Sequence, residues 1–197
     1  MTIKKRNKAE SQNRILQAGL AVFSKYGYDA ATTKMIAARA GLNESLIQRY
    51  FKSKSGLLVA VNKLSLQAML AQTPYPPQTD VESEIFQFMQ SKMERDGDNL
   101  AFVRVILSRI LIDEKLREEM RKQTPPPKRI FLHERLELFK ENGLIADDVA
   151  IEELVGIIMS QSFIVGLLER IMFHKTKQDC SNRFRVFARA MAKGIAP

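Results

Sequence analysis

Apolar residues recur at helical spacing along nearly the whole chain, and no stretch shows the strict alternation that strands require. Ile15, Leu16, Gly19, Leu20 and Phe23 form one stripe, which predicts a helix over about 10–26 stopped by Gly27. Ile36, Ala37 and Ala40 form a second stripe, and Ile47 and Phe51, four apart, form a third. Leu57, Leu58, Val61, Leu64 and Leu66 predict a fourth helix over about 54–72. The segment TPYPPQT at 73–79 then breaks the pattern, because Pro76 and Pro77 lack an N–H and restrict φ. Further helices are predicted over about 80–96, 99–122 with a break near Asp113, 128–142, 147–174 and 177–193. The chain reads as all-α, without internal repeats.

Residues 32–54 hold the most specific pattern. Thr32 can cap a short helix, Gly41 suits the φ > 0 residue that ends it, and Asn43 can cap the helix that follows. Ala37 is small enough for a close crossing, Leu42 fills the corner, and Ile47 and Phe51 point back onto Ile36 and Ala40. This is a helix-turn-helix: the first helix braces, and the second, Glu44–Tyr50, is presented outward.

Charge sharpens the picture. The 197-residue chain carries a net +9 and is 45% hydrophobic. Residues 1–72 hold 12 Lys and Arg against 3 Asp and Glu, and residues 73–197 hold 19 against 19, so the whole surplus lies with the helix-turn-helix. A polyanion is the natural partner for that segment. The basic stretch 1–9 is expected to be a disordered arm, either solvated or following a phosphate backbone or minor groove. One cysteine, Cys180, leaves no internal disulfide framework and predicts a cytoplasmic setting. Lys4-Lys5-Arg6 runs into polar residues, unlike a secretory signal. The uncharged stretch Leu154–Leu168 is 15 residues long and reads as a buried helix.

Residues about 10–58 resemble the DNA-binding domain of the TetR (tetracycline-repressor) family of bacterial transcription regulators. The resemblance lies in ILQAGLAVFSKYGYDAATTKMIAARAGL, the aromatic pair Tyr50-Phe51, and the run Lys54-Ser55-Gly56-Leu57-Leu58. Ser45, Leu46 and Gln48 depart from the family's usual reading helix, standing where Gly or Pro, Thr, and an aromatic are common. The resemblance implies a head over 1–54 and a ligand-binding and dimerisation domain over 55–197.

Helix-turn-helix geometry places Lys34, Glu44, Ser45, Leu46 and Arg49 within reach of bases. Family resemblance assigns phosphate contacts to Thr33, Gln48, Tyr50 and Lys54. Glu44 could instead cap its own helix, and Leu46 offers only apolar contact. Phe86, Met89, Met93, Phe102, Ile106, Met159 and Phe163 suit an adaptable apolar ligand pocket, with ordinary core the default reading of any one of them. Arg109 can meet an anionic ligand head or pair with Asp113 at i+4. Gly156, Ser160, Phe163, Leu167, Phe184, Phe187 and Met191 stripe the last two helices and are expected at a four-helix dimer interface.

His133 is expected at the surface and His174 at a helix C-terminus. No catalytic motif, cofactor loop or metal-ligand spacing stands out, which speaks against an enzyme. The expected protein is a cytoplasmic, homodimeric repressor that binds a palindromic double-stranded operator. The resemblance implies release by a small apolar or amphipathic effector, with the helix over 54–72 carrying the shift. The alternatives are a basic protein that binds DNA without sequence preference, and a small-molecule binding protein with a vestigial head.

Overall fold

The computed structural model describes residues 3–70, 75–98, 100–123 and 130–197, with the backbone alone at 3–7, 69, 70 and 98. Every regular element among these is helical: α1 (Ile3–Ala30), α2 (Thr33–Ala40), α3 (Ser45–Phe51), α4 (Lys54–Leu70), α5 (Val81–Asp98), α6 (Leu100–Ile112), α7 (Glu114–Gln123), α8 (Phe131–Glu141), α9 (Ile151–Phe163), α10 (Glu169–Phe173) and α11 (Lys177–Gly194). A π-helical turn, Ile164–Leu168, joins α9 to α10 without a break. The chain packs as two units, Met1–Gln72 with Ala101–Pro126, and Thr73–Leu100 with Pro127–Pro197. These packing units do not follow the expected division at 54/55, because α4, α6 and α7 bury their apolar faces on the head.

In the first unit, each short helix ends where its residues require. The Thr32 hydroxyl accepts from Met35 N at 3.1 Å, and Gly41, at φ 62°, closes α2 in the left-handed region that Gly adopts at little cost. Asn43 does cap α3, its Oδ1 accepting from Ser45 N at 2.9 Å. Ile15, Phe23, Ile36, Ile47, Leu57 and Leu58 form a core with almost no exposure, and Phe102, Val105, Leu116 and Met120 of α6 and α7 complete it. Gly56 allows the α3–α4 corner, since a Cβ there would lie 2.1 Å from the Phe51 carbonyl oxygen.

The basic N-terminus corrects the expectation of a disordered arm. Residues 1 and 2 lie outside the described part, but the backbone from Ile3 onward already belongs to α1. Residues 3–18 contain neither Gly nor Pro. A helix nucleated by docking of its C-terminal half therefore propagates backward at little cost. Gly27 (φ 75°, ψ 178°) interrupts α1 where expected.

The second unit is built on Ile85, Phe88, Met89, Leu132, Leu136, Ile158, Val165 and Phe184. Its buried carboxylate, Glu84, is 0% exposed and accepts from Arg135 at 2.9 Å, from Gln78 N at 3.0 Å and from the Tyr75 hydroxyl. The Arg135 guanidinium also covers the rings of Tyr75 and Phe131, 4.6 and 5.0 Å from their centres. Burial is the largest of the influences that push the Tyr75 phenol above its ordinary range. His133 is a second correction: it is 6% exposed, not a surface residue. Its Nδ1 sits three residues into α8 and accepts from Ile130 N at 3.1 Å, so a capping role draws the ring inward.

The helix from Ile151 to Phe173 spans 23 residues, longer than its uncharged stretch, and is apolar enough by composition to cross a membrane. Leu154, Val155, Ile158, Val165 and Leu167 are nevertheless buried within the unit. Cys180 is buried beside it, donating to the Val165 carbonyl at 3.1 Å, and burial raises its thiol pKa. His174 stands exposed at the helix end with φ 52°.

Two substitutions test this packing. Gly56→Ala is expected to cost about 1–3 kcal/mol, by analogy with other overpacked sites, and to lower the urea midpoint; an unchanged midpoint would contradict the α3–α4 crossing. Glu84→Ala strands the Arg135 charge and is expected to cost about 3–5 kcal/mol in the same assay.

Candidate nucleic-acid interface

One face of α3 meets the core and the rest faces out. Ile47 is 1% exposed, while Glu44, Ser45, Gln48 and Arg49 are exposed around it and Leu46 and Tyr50 are half-buried. Lys34 is exposed on the first turn of α2. Helical spacing leaves no other result: Ile47 must meet Ile36, so its neighbours at 100° steps turn toward solvent. Of the residues expected to read bases, Lys34, Glu44, Ser45 and Arg49 are therefore exposed, and Leu46 shows only part of its side chain.

The flanking cations and aromatics are ordered around the same helix. Tyr50 packs edge-on against Phe51 at 6.3 Å, with Arg49 and Lys8 placed 6.0 and 5.9 Å from its ring centre. Lys8 thus brings α1 alongside α3. Lys52, the C-cap of α3, holds φ 68°, a conformation that costs a non-Gly residue of order 1–3 kcal/mol, and its side chain is exposed.

Three side chains stand differently from expectation. Glu44 Oε1 accepts from the Thr33 hydroxyl at 2.5 Å and makes no cap bond to its own helix. That contact joins α2 to α3 and occupies the hydroxyl expected at a phosphate. Lys54 is the clearest correction. Its ammonium turns inward and donates to the carbonyls of Tyr28 and Ala31, both at 2.9 Å, and Asp29 at 3.4 Å. All three of its protons are thereby directed at backbone oxygen rather than at an outside anion.

Arg14 does not stand out by its spacing, yet it secures the turn. Its Nη2 donates to the Ala40 carbonyl at 2.6 Å and reaches that of Gly41 at 3.3 Å, satisfying the orphan end of α2. The available signal was a cation on α1 at a position off the apolar stripe, which is too common to be specific.

The residues expected to line a ligand pocket divide between the two packing units. Met89, Met93 and Phe102 are 0%, 2% and 1% exposed and pack as core. Phe102, Ile106 and Arg109 belong to the first unit, whereas Phe86, Met89, Met93, Met159 and Phe163 belong to the second. Arg109 pairs with Asp113 at 3.0 Å. Met159 and Phe163 line a shallow surface depression with Ser160 and Ile164.

Expected dimer positions divide in the same manner. Leu167 and Phe184, at 2% and 0% exposure, are committed to the interior of the unit and cannot lead an interface. Their stripes face α5, across which Gly166 admits Met93 and Phe184 to close contact. Gly156 and Ser160 are exposed, with nothing within 4 Å of a Cβ built at Gly156. Phe163, Phe187 and Met191 are half-buried. Ile157, Ile164 and Val186, at 51%, 44% and 71%, extend the apolar surface.

Comparisons with known proteins agree with this head. Residues 15–61 match the sequence profile described as bacterial regulatory proteins, tetR family. The chain is 45% identical over 51 residues to the HTH-type transcriptional regulator YvkB of Bacillus subtilis, covering 26% of this chain and 27% of that protein. It is 45% identical over 51 residues to the HTH-type transcriptional repressor KstR of Mycolicibacterium smegmatis, covering 26% and 25%. The chain thus spans about a quarter of the length of these curated relatives. Solved structures extend the likeness in fold: a TetR family transcriptional regulator from Pseudomonas syringae gives a TM-score of 0.64 at 20% identity over 98% of this chain and 97% of that one. The fatty acid degradation regulator FadR of Bacillus halodurans gives 0.65 at 18% identity over 90% and 93%. The brace, turn and outward helix all lie within residues 15–61, the segment that matches the tetR family of bacterial regulatory proteins.

Proposed function

We propose that the protein regulates transcription by binding a palindromic DNA operator as a homodimer, and that a small apolar or amphipathic effector releases it. The observation that carries this reading is the exposed face of α3, with Ser45, Gln48 and Arg49 outward and Ile47 inward, ringed by Lys8, Lys34 and Lys52. Arg49 is the residue suited to a guanine edge, and Gln48 to an adenine edge or a phosphate. Glu44, held by Thr33, presents its other oxygen as an acceptor for cytosine N4. Tyr50, Lys8, Lys34 and Lys52 would fix register through the phosphates, in the role expected of Lys54 and Thr33.

A two-fold dimer would pair the face of Gly156, Ile157, Ser160, Phe163, Ile164 and Val186 with its own copy. Bare glycine and serine at helix-turn spacing let backbones approach, and the surrounding apolar groups are those a monomer leaves wet. In such a dimer the two α3 helices would sit about 34–36 Å apart to enter successive major grooves. An effector acts only as far as it prefers another spacing. Repression is the reading in keeping with KstR, named a repressor.

Selection of bound duplexes from a random pool tests the whole reading, with a two-fold symmetric motif as the expected result; indifference to sequence would favour a non-specific DNA binder. Arg49→Ala is expected to lower operator affinity about tenfold or more and relax preference at one position per half-site. Lys8→Ala is expected to reduce the slope of log K against log salt by roughly 0.9 for each phosphate that Lys8 neutralises. Ile157→Asp with Val186→Asp is expected to shift the light-scattering mass from dimer to monomer.

A further inference from the structure

The turn that feeds α2 is gripped from two helices. Tyr28 stacks on Phe23 at 5.9 Å, and its ring receives Lys54 Nζ at 4.3 Å and Arg109 Cζ at 4.6 Å. Lys54, from α4, holds the carbonyls of Tyr28, Asp29 and Ala31. Arg109, from α6, holds Asp113 at 3.0 Å and approaches the exposed Asp29 carboxylate at 3.5 Å. Thr32, the N-cap of α2, follows immediately.

Two features set Arg109 apart from an ordinary helix-surface arginine. Its side chain is only 18% exposed, and its Nε is buried without a hydrogen-bond partner. A buried orphan donor opposes folding, so the group is held there by what the rest of the guanidinium does, namely its bond to Asp113 and its placement over Tyr28. The second feature is the place of its helix in the chain. Residues Ala101–Pro126 pack with the head, yet both neighbouring segments, Thr73–Leu100 and Pro127–Pro197, belong to the other unit. The α6–α7 hairpin is therefore a part of the head tethered at each end by covalent bonds to the other unit. Phe102, Val105, Leu116 and Met120 anchor it in the head's core.

We propose that Arg109 is a positioning residue coupling the α6–α7 hairpin to the Tyr28–Ala31 turn, so that the hairpin, along with α4, sets the attitude of α2 and α3. Its consequence for DNA rests on the regulator reading above; its geometry does not. A pull on either tether would move Arg109 off Tyr28, leave Lys54 alone to hold the turn, and loosen the base of the helix-turn-helix. Asp113 suits this role because its carboxylate also caps α7, accepting from Leu116 N at 3.0 Å. That bond first, then Arg109, holds its pKa below the ordinary value. The hairpin's own corner and the clamp thus share one group.

The test uses the full chain carrying Arg109→Gln or Arg109→Lys. In hydrogen exchange without DNA, Arg109→Gln is expected to speed exchange of amides 28–36 about tenfold, while the melting temperature stays within about 2 °C because the apolar anchors remain. Arg109→Lys keeps charge at the ring but removes the fork, and is expected to restore only part of that protection. With the selected operator, Arg109→Gln is expected to reduce discrimination against a duplex whose half-sites are two base pairs further apart by about tenfold, leaving single half-site affinity unchanged. Unaltered protection at 28–36 would overturn the proposal. So would a weakening of protection spread evenly over α1, α2 and α4 with a fallen melting temperature, which marks a merely structural arginine. A parent protein with no preference among duplexes would defeat the regulator reading, and exchange alone would then decide the role of Arg109.

Discussion

A seven-residue helix cannot sustain itself in water, because nucleation costs more than so few hydrogen bonds return. α3 persists because Ile47 is pressed into a core shared with Ile36, Ala37, Ala40, Leu57 and Leu58. That single burial also decides what the helix shows. With Ile47 fixed inward, Ser45, Gln48 and Arg49 have nowhere to go but outward. Stability and presentation are therefore one constraint, and the small residues at the crossing serve both.

Around that crossing several polar groups finish backbone ends. Thr32 and Asn43 cap the openings of α2 and α3, Arg14 closes the end of α2, and Lys54 closes the turn before it. Each removes an orphan donor or acceptor that would otherwise need water. Other cations of the head, among them Lys8, Lys34, Arg49 and Lys52, stay exposed at the surface. A positively charged head thus contains two kinds of cation, and only their partners distinguish them.

The second unit follows a different logic. Its one fully buried carboxylate among the described residues, Glu84, binds Arg135, Tyr75 and the backbone of Gln78, which ties the proline-rich 75–78 segment to α5 and α8. This unit leaves apolar surface in water along α9 and α11. The helices of the two units are interleaved in chain order, since α5 precedes and α8 follows the hairpin that packs with the head.

Much of this was legible in the residues. The break at Asp113, the stops at Gly27 and Gly41, and the caps at Thr32 and Asn43 depend on local chemistry within a few residues, which a linear pattern records. The helix-turn-helix face was legible for the same reason, its spacing being set by one helical period. What a pattern cannot record is which partner a long side chain selects across the fold. By position alone Lys54 suits a phosphate, yet its ammonium faces three carbonyls 23–26 residues away. By position alone His133 suits the surface, yet its ring turns back to cap α8, and packing consumes Met93, Phe102 and Phe184. Apolar periodicity marks a buried face without naming the surface that buries it, so the docking of α6 and α7 onto the head was settled only by the three-dimensional arrangement. Sequence by itself determined the helices, their ends and the placement of charge, because these arise from neighbours in the chain; tertiary structure decided the pairings, because flexible side chains and apolar stripes find their partners only when distant segments meet.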